Sequence, residues 1–324
     1  MKILITGGLG LIGHNIVRRL LDHGHRITIT DTRTNYGIIA EDELDYLMHE
    51  RIKKIPEIQE YLHRVDISDQ DGMDWIMREY RPDTVIHTAS FPRQKVVNNN
   101  PQQGSRAMSE GLLNLLENSV KHGVQKFVYI SSSMIYGDFA DQVQEDALCR
   151  PQGQYGIMKL AGEWLVRDYT RRYDMAHTII RPSAVYGPLD VEDRVVSRFL
   201  LTAMRGGVIR VNGASETLDF TYVDDIADGI SSATVMDVAN NNTYNITRGH
   251  SQTLLTAAKL AVEIVGRGSI EVLDRDPDFP SRGALNIDRA RQDIGFDPKI
   301  DIQEGFKRYH EWFCKSEFWK QKLK

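Results

Sequence analysis

The chain has 324 residues, of which 41% are hydrophobic and 26% charged, and its net charge at pH 7 is −5. This length can bury a large core in one big domain or two closely joined ones, and the acidic balance argues against binding of nucleic acid by bulk electrostatics. Because no apolar run approaches the roughly 18 residues that span a bilayer, and no secretory segment is evident, we expect a cytoplasmic protein without membrane attachment.

Short β-branched runs alternate with longer helical patterns over the first 182 residues. This alternation predicts a doubly wound α/β fold, in which a parallel sheet is connected by crossover helices. The predicted strands cover residues 2–6, 26–30, 62–65, 84–87, 126–130 and 178–181. The predicted helices cover residues 11–21, 41–54, 72–80, 102–121 and 155–173. The helix at 41–54 lies in an unusually long connection, residues 32–61, and its basic run from Arg51 to Lys54 is typical of a solvated helix face.

The alternation weakens after Pro182. There the pattern predicts a helix at 195–205, a strand at 208–212, a helix at 254–265, a further element at 286–294 and an aromatic helix at 306–312. We expect a smaller α/β part packed over the sheet. The predicted division is a Rossmann-type cofactor domain, residues 1–182 with 218–248 returning to it, and a substrate-binding part, residues 183–217 and 249–324.

Three glycines, Gly7, Gly10 and Gly13, join the first predicted strand to the first helix. Such a turn binds a pyrophosphate, because backbone N–H groups and the helix dipole point at the anion and residues without Cβ let it approach. Asp31 ends the second strand, where a carboxylate accepts hydrogen bonds from a ribose 2′-OH and repels a 2′-phosphate, and therefore favours NAD over NADP. Arg33 is a nearby cation that weakens this preference, and Asp31 is alternatively an ordinary turn residue.

Tyr155 and Lys159 stand four residues apart in a predicted helix. Residues at this spacing share one helix face, so the ammonium can lower the pKa of the phenol and suit it to acid–base work at neutral pH. Ser131, Ser132 and Ser133 end the fifth strand, at the sheet edge where doubly wound folds bind ligands. A hydroxyl there is placed to orient a reacting alcohol, or is simply a polar strand exit.

Cysteine and histidine spacing indicates neither a disulfide nor a metal site. Cys149 and Cys314 form no CxxC pair, and the ten histidines show no HExxH or clustered spacing. We therefore expect no metal.

Six segments, taken in order, resemble the extended short-chain dehydrogenase/reductase family in its NAD-dependent nucleotide-sugar epimerase/dehydratase branch. They are TGGLGLIG at 6–13, HTAS at 87–90, FVYISSSMIYGD at 127–138, YGIMK at 155–159, RPSAVYGP at 181–188 and LDFTYVDD at 218–225. The resemblance covers nearly the whole chain and is strongest to UDP-glucose 4-epimerases. It implies a Rossmann fold, NAD as cofactor, a nucleotide sugar as substrate and a homodimer.

By position, the resemblance implies that Tyr155 is the catalytic base, that Lys159 supports it and holds the nicotinamide ribose, and that Ser132 completes a triad. The cofactor residues predicted from the patterns and the resemblance are Gly7, Gly10, Leu11, Ile12, Gly13, Asp31, Arg33, Asp66, Ile67, Thr88, Ala89, Ser90, Tyr155, Lys159 and Pro182. Asp66 and Ile67 are placed to contact the adenine or belong to an ordinary turn. The predicted substrate residues are Pro92, Arg93, Ser132, Ser133, Ser183, Arg194 and Arg282. The guanidinium groups of Arg194 and Arg282 suit bidentate phosphate contact, or else form surface salt bridges.

Departures from the family pattern narrow the reaction. Dehydrating relatives carry an Asp-Glu pair directly after the catalytic hydroxyl, and decarboxylating relatives carry Glu there, whereas this chain has Ser133 and Met134. Neither residue can remove the C5 proton or protonate a leaving hydroxyl, so both reactions are disfavoured. Many relatives also have Asn, Arg and Asn where this chain has Ala184, Leu218 and Met108, which implies a different anchor for the diphosphate.

We therefore predict an NAD-dependent epimerase that acts at C4 of a nucleoside-diphosphate hexose through a transient 4-keto intermediate, since one tyrosine can remove and return the O4 proton. The alternatives are an NAD(H)-dependent 4-ketoreductase or 4-dehydrogenase and a non-catalytic cofactor-sensing or RNA-associated relative. The family dimer is a four-helix bundle of the helices at 102–121 and 155–173. Its predicted apolar contacts are Leu112, Leu115, Leu116, Leu160, Trp164 and Leu165.

Overall fold

A parallel sheet organises the chain, which a computed structural model describes over residues 1–91, 93–277 and 279–323. The strands of the described residues are β1 (Lys2–Thr6), β2 (Arg26–Thr30), β3 (Leu62–His63), β4 (Thr84–His87), β5 (Lys126–Ile130), β6 (Ala176–Arg181), β7 (Val185–Tyr186), β8 (Val208–Asn212), β9 (Thr217–Asp219), β10 (Thr221–Tyr222), β11 (Asn242–Asn245), β12 (Ser251–Thr253) and β13 (Ser269–Leu273). Within these residues, seven strands form one sheet in the order β11-β6-β5-β4-β1-β2-β3, and every neighbouring pair is parallel. The strand order reverses between β1 and β4, the switch point where such folds bind ligands.

Helices cover both faces of this sheet. They are α1 (Leu11–Asp22), α2 (Glu41–Lys53), α3 (Gln70–Tyr80), α4 (Gln94–Asn99), α5 (Pro101–Ser105), α6 (Gly111–Lys121), α7 (Gly153–Tyr173), α8 (Val195–Met204), α9 (Val223–Val235), α10 (Leu254–Val265), α11 (Asp288–Ile294), α12 (Ile302–Lys315) and α13 (Glu317–Lys322). Helices α1 and α9 pack against each other over one face, and α3, α6 and α7 cover the other. Buried strands of this kind lie between two apolar layers, as the continuous apolar runs of β1 and β5 predict. The predicted Rossmann-type α/β fold is confirmed.

A smaller layer built from short strand pairs follows the main sheet. Strands β8 and β13 pair in parallel, β9 and β12 pair antiparallel, and β7 pairs with β10. Helix α10 packs on α8 and α12 beside them. Strand β11, which lies between β10 and β12 in the sequence, instead pairs with β6 in the main sheet. The domain boundaries drawn from the sequence stay a prediction.

Two predicted elements differ from the structure. The third strand is only two residues long, because the chain turns at Asp66, whose carboxylate accepts hydrogen bonds from the backbone and hydroxyl of Ser68. The predicted helix at 102–121 is divided by a π-helical segment, Arg106–Glu110, between α5 and α6. A π-helical turn inserts one extra residue, so it changes which side chains of the following helix face the sheet.

The basic run from Arg51 to Lys54 is only partly a solvated face: Lys53 and Lys54 are exposed, but the prediction is wrong for Arg51. Arg51 is buried, and its guanidinium donates hydrogen bonds to the carbonyl oxygens of Leu9 and Leu189, at 2.8 and 2.6 Å. Glu43, Leu47 and Arg51 are the buried residues of α2, spaced four apart. That stripe was readable in the sequence, but a charged run normally faces water, since isolated buried charges are costly.

A buried ion pair joins α7 to the end of β6. The guanidinium of Arg181 donates to both carboxylate oxygens of Glu163, at 2.9 and 2.8 Å, and both side chains are buried. Arg181 also donates to the Tyr136 hydroxyl and to the carbonyl of Glu145. Tyr136 in turn donates to Asn245 on β11. Helix α7 is thereby fixed against two strands and the segment that follows β5.

Within the part of the chain that the structure describes, no helix is both long and apolar enough to cross a membrane. The same residues contain no cluster of three or more His, Cys, Asp or Glu side chains that could hold a metal ion.

Candidate active site

A cleft of about 730 Å³ opens at the carboxyl ends of β1, β2, β4 and β5. Its lining includes these predicted cofactor and substrate residues: Gly7, Gly10, Leu11, Ile12, Gly13, Asp31, Arg33, Asp66, Ile67, Thr88, Ala89, Ser90, Arg93, Tyr155 and Arg194. Six other predicted residues lie beside or beneath the lining: Ser132, Ser133, Lys159, Pro182, Ser183 and Arg282. Pro92 lies outside the described residues.

The glycine turn leaves no room for side chains. Gly7 has φ +68°, and a Cβ built there would lie 2.6 Å from the backbone nitrogen of Ala89. A Cβ on Gly13 would lie 2.3 Å from the carbonyl oxygen of Gly7, so only glycine lets α1 begin this close to β1. The open N-terminus of α1, with Gly10 as its N-cap, therefore faces the cleft directly, and such a terminus suits a pyrophosphate.

Asp31 fixes the turn from the neighbouring strand. Its Oδ2 accepts a hydrogen bond from the Leu9 backbone at 3.0 Å, and its Oδ1 accepts one from the Arg33 backbone at 2.8 Å. A carboxylate offers about four acceptor positions, so two remain for ribose hydroxyls. The side chain of Arg33 is exposed on a backbone with φ +54°. These groups fit a dinucleotide with an unmodified 2′-hydroxyl.

The three predicted catalytic residues come together at the other end of the cleft. Tyr155 and Lys159 lie one turn apart on α7, and the Lys159 Nζ is 5.9 Å from the centre of the Tyr155 ring. Lys159 is buried and donates a hydrogen bond of 2.8 Å to the carbonyl of Ile130, at the end of β5. The Ser132 hydroxyl interacts with the Tyr155 phenol. It also accepts a hydrogen bond from the backbone of Met134, which fixes its rotamer.

The expected electrostatic effect of Lys159 on the phenol does not dominate. Burial raises the pKa of Tyr155, and this effect outweighs the Ser132 hydroxyl and the Arg194 guanidinium, which lower it. Burial also lowers the pKa of Lys159 to about 7, although the Glu163 carboxylate one turn further along opposes that shift. The spacing in the sequence correctly predicts the shared helix face, but it says nothing of desolvation, which acts on both groups.

Two arginines face each other at this end. Burial, followed by repulsion from Arg194, lowers the pKa of Arg282 to about 10. The Nη1 of Arg282 donates to the sulfur of Met134 at 3.5 Å, and its buried Nε has no hydrogen-bond partner within the described residues. Arg93, by contrast, is engaged: it donates to the carbonyl and the carboxylate of Asp193. Arg194 and Arg282 are thus the predicted substrate cations that retain donors for an anion.

The remaining predicted substrate residues form a buried layer under Tyr155. Ser133 Oγ donates to Ser183 Oγ at 3.2 Å, and the Ser133 backbone donates to the carbonyl of Pro182. Both serines and Pro182 are buried, so this layer supports the site from behind.

The cleft lining also contains residues outside the sequence predictions, and two of them, Arg51 and Asp190, are charged and buried. Arg51 belongs to the stripe on α2 described above. Asp190 follows the RPSAVYGP segment, but an aspartate after a Gly-Pro pair is typical of a turn, and no local pattern indicates its burial.

Comparison with known proteins agrees with this geometry. The sequence profile of the NAD dependent epimerase/dehydratase family matches residues 3–247. A dTDP-glucose 4,6-dehydratase from Neisseria meningitidis serogroup B is 26% identical over 99% of this chain and 96% of its own length.

Solved structures of two UDP-glucose 4-epimerases are also similar. The Thermotoga maritima enzyme, solved with UDP-glucose, has a TM-score of 0.85 and 27% identity over 97% of this chain and 99% of its own. The Thermus thermophilus enzyme, solved with NAD, has a TM-score of 0.85 and 25% identity over 98% of this chain and 100% of its own. The chain therefore belongs to the NAD dependent epimerase/dehydratase family, in the extended short-chain dehydrogenase/reductase branch, and its cofactor is NAD.

Proposed function

We propose that the protein is an epimerase that inverts C4 of a nucleoside-diphosphate hexose through a transient 4-keto intermediate. Three side chains, Ser132, Tyr155 and Lys159, carry this proposal, because they meet at the catalytic end of a cleft whose other end fits NAD. When bound, NAD supplies reversible acceptance of a hydride.

The protein's own groups provide the proton chemistry. The Tyr155 side chain, as the phenolate, accepts the proton of the O4 hydroxyl and, as the resulting phenol, returns it after the keto sugar has turned over. Ser132, whose rotamer is fixed by the Met134 backbone, orients that hydroxyl. Lys159, anchored to the Ile130 carbonyl, is the cation nearest to the phenol on α7 and holds the adjoining ribose.

The surroundings of Ser133 and Met134 support epimerisation over dehydration. Ser133 is hydrogen-bonded to Ser183 in the buried layer, and Met134 packs its sulfur on Arg282. Neither position offers the carboxylate that removal of a C5 proton requires. A ketoreductase would need the same triad, so only the fate of the hydride separates the two reactions.

Arg194 and Arg282 are the groups that we propose for the diphosphate. Both retain unused donors at the substrate end, and their mutual repulsion is relieved by an anion between them. This pair compensates for the absence of the family asparagine and arginine at Ala184 and Leu218.

The base assignment is tested by Tyr155→Phe. We expect kcat to fall at least about a hundredfold, the lower end of a general base's contribution, while NAD binding measured by calorimetry changes little, because the ring still packs. Lys159→Met should lower kcat and also weaken NAD binding. A Tyr155→Phe enzyme that keeps more than about a hundredth of the wild-type rate would disprove the assignment.

Asp31 determines cofactor preference, and we expect the wild type to bind NAD more tightly than NADP. Asp31→Asn keeps the shape but removes the charge beside the 2′ position, so it should narrow that gap. Asp66→Asn, one strand away at the same cleft edge, is the matched control and should leave the ratio of the two affinities unchanged. Equal wild-type affinities in titrations at fixed salt would remove this role of Asp31.

Epimerisation predicts turnover without an external reductant. A panel of UDP-, GDP-, CDP- and dTDP-hexoses, incubated with the purified protein in deuterium oxide, should give a C4 epimer from at least one sugar, no deuterium at C4 and no net change at 340 nm. Deuterium at C5 would indicate dehydration instead. If a 4-keto sugar is converted only when NADH is supplied, the protein is a ketoreductase and the proposal fails.

We also propose a homodimer formed through α6 and α7. Leu112, Leu115 and Leu116, which the sequence analysis placed at the interface, are buried against the sheet within one chain, so that part of the prediction is wrong. Large side chains exposed on these helices instead include Leu113, Ile157 and Trp164, with 37%, 53% and 66% of their surface accessible, and Tyr173 at the end of α7, with 43%. Exposed apolar residues on two adjacent helices are typical of an interface between subunits.

Trp164→Glu should therefore convert the dimer to a monomer, as measured by light scattering at micromolar concentration, because it places a charge in the apolar contact. Trp75→Glu is the matched control: Trp75 is 41% exposed on α3, away from α7, and its replacement should leave the mass unchanged. A monomeric wild type would contradict the dimer.

A further inference from the structure

One carboxylate at the catalytic end of the cleft has an unused oxygen. The side chain of Asp190 is only 6% exposed and lines the cleft. Its Oδ1 accepts a hydrogen bond of 2.9 Å from the Val191 backbone, whereas its Oδ2 is buried without a hydrogen-bond partner within the described residues. A buried oxygen that makes no hydrogen bond costs free energy unless a ligand or solvent supplies one.

The neighbouring cations do not meet this need. The Nε of Arg194 lies 3.7 Å from Oδ2, beyond hydrogen-bonding distance. Arg51 directs its two terminal nitrogens at the carbonyls of Leu9 and Leu189, and Arg93 directs its own at Asp193. Burial raises the pKa of Asp190, and these guanidinium groups oppose that shift without making a hydrogen bond to Oδ2, which is left without a partner in the described residues.

The position of Asp190 is fixed by three contacts from two helices, α2 and α12. Its backbone carbonyl accepts a hydrogen bond from Tyr309 on α12, and Arg51 on α2 holds the carbonyl of the preceding residue, Leu189. The Glu43 carboxylate accepts a hydrogen bond from the Glu192 backbone at 2.7 Å. Because this acceptor is held in a fixed position, it discriminates between ligands by where their donor group lies as well as by the kind of donor.

We propose that Asp190 Oδ2 accepts a hydrogen bond from a hydroxyl group on the hexose ring of the substrate and so determines which sugars bind. The inference rests on the proposed function. Asp190 lies on the same loop as Arg194, whose charge acts on the Tyr155 phenol where the reacting alcohol must lie. The same Arg51 guanidinium that holds Leu189 also holds Leu9 in the glycine turn, so the cofactor side of the cleft is close to this loop as well. A ribose hydroxyl of the cofactor has the same chemistry, so the test must separate the two sources.

The test compares Asp190→Asn, which is isosteric, and Asp190→Ala with the wild type by calorimetry. The probes are UDP-glucose, dTDP-glucose, the nucleoside diphosphates UDP and dTDP, and NAD. Glu192→Gln is the matched control, because Glu192 is on the same loop but its side chain pairs with Arg205 away from the cleft. Unchanged NAD affinity in each variant shows that the fold is intact.

We expect both Asp190 variants to bind the preferred nucleotide hexose about tenfold or more weakly, the range for a hydrogen bond to a charged group. UDP, dTDP and NAD should bind within about twofold of wild type. Analogues of that hexose that each lack one ring hydroxyl identify the group involved. For one hydroxyl position, removal should weaken binding to the wild type but should not weaken binding to Asp190→Ala any further.

Four results would overturn the inference. Equal weakening of a nucleotide hexose and its nucleoside diphosphate would place the effect of Asp190 on the diphosphate, and weakening of NAD would place it on the cofactor. Unchanged hexose binding by the variants, with an active wild type, would refute the role of Asp190 alone. A wild type that binds none of the nucleotide sugars would refute the proposed function together with this inference.

Discussion

The catalytic geometry depends on the buried ion pair between Glu163 and Arg181. Helix α7 carries Tyr155, Lys159 and Glu163 at successive turns, so the pair that fixes Glu163 to the end of β6 also fixes the two side chains that we propose for the proton transfer. Both charges are removed from water, and a buried pair that loses one partner typically costs about 3–5 kcal/mol. The same carboxylate favours the charged form of Lys159 against the effect of burial. One interaction thus joins the stability of the helix to the protonation of its lysine.

The insertion between β2 and β3 has a comparable role for the substrate loop. Helix α2 buries Glu43 and Arg51, and these two side chains hold the loop at 189–192 through its backbone, while Arg51 also holds the glycine turn at Leu9. Burial raises the pKa of Glu43 to about 7, so this carboxylate is near its titration point at neutral pH. The long connection at residues 32–61, which the sequence suggests to be a surface insertion, therefore joins the glycine turn to the loop that carries Asp190 and Arg194.

The sequence was sufficient for the parts of the structure that depend on local pattern. Three features follow short-range geometry: the seven-residue segment from Gly7 to Gly13, the strand end at Asp31, and the helical pair Tyr155 and Lys159. The structure places them at one cleft. The sequence was insufficient where the role of a residue depends on whether its side chain is buried. Arg51 is charged and lies in a basic run, yet the cleft buries it.

The apolar residues of the α6 and α7 surface illustrate the same limit. Leucines at 112, 113, 115 and 116 look equivalent in the sequence, but the π-helical segment before α6 and the packing on the sheet bury three of them and expose Leu113. A helical period locates a face only when the starting phase is known, and one extra residue in a π turn shifts that phase by about 100°. Desolvation of Tyr155 likewise depends on the folded cleft, so it cannot be predicted from the spacing of residues in the sequence.

The substrate end of the cleft combines groups that are unfavourable together until a ligand binds. Burial, and after it repulsion from Arg194, lowers the pKa of Arg282, whose Nε remains without a partner in the described residues. Asp190 is buried beside them with its own unused acceptor. Under the proposed function, the diphosphate of a nucleotide sugar would pair with the two cations and a ring hydroxyl with the carboxylate, whereas a free sugar or a free nucleotide would supply only one of these contacts. Binding energy gained at these fixed positions is then available to hold the reacting carbon beside Tyr155, which is where positional precision raises the rate.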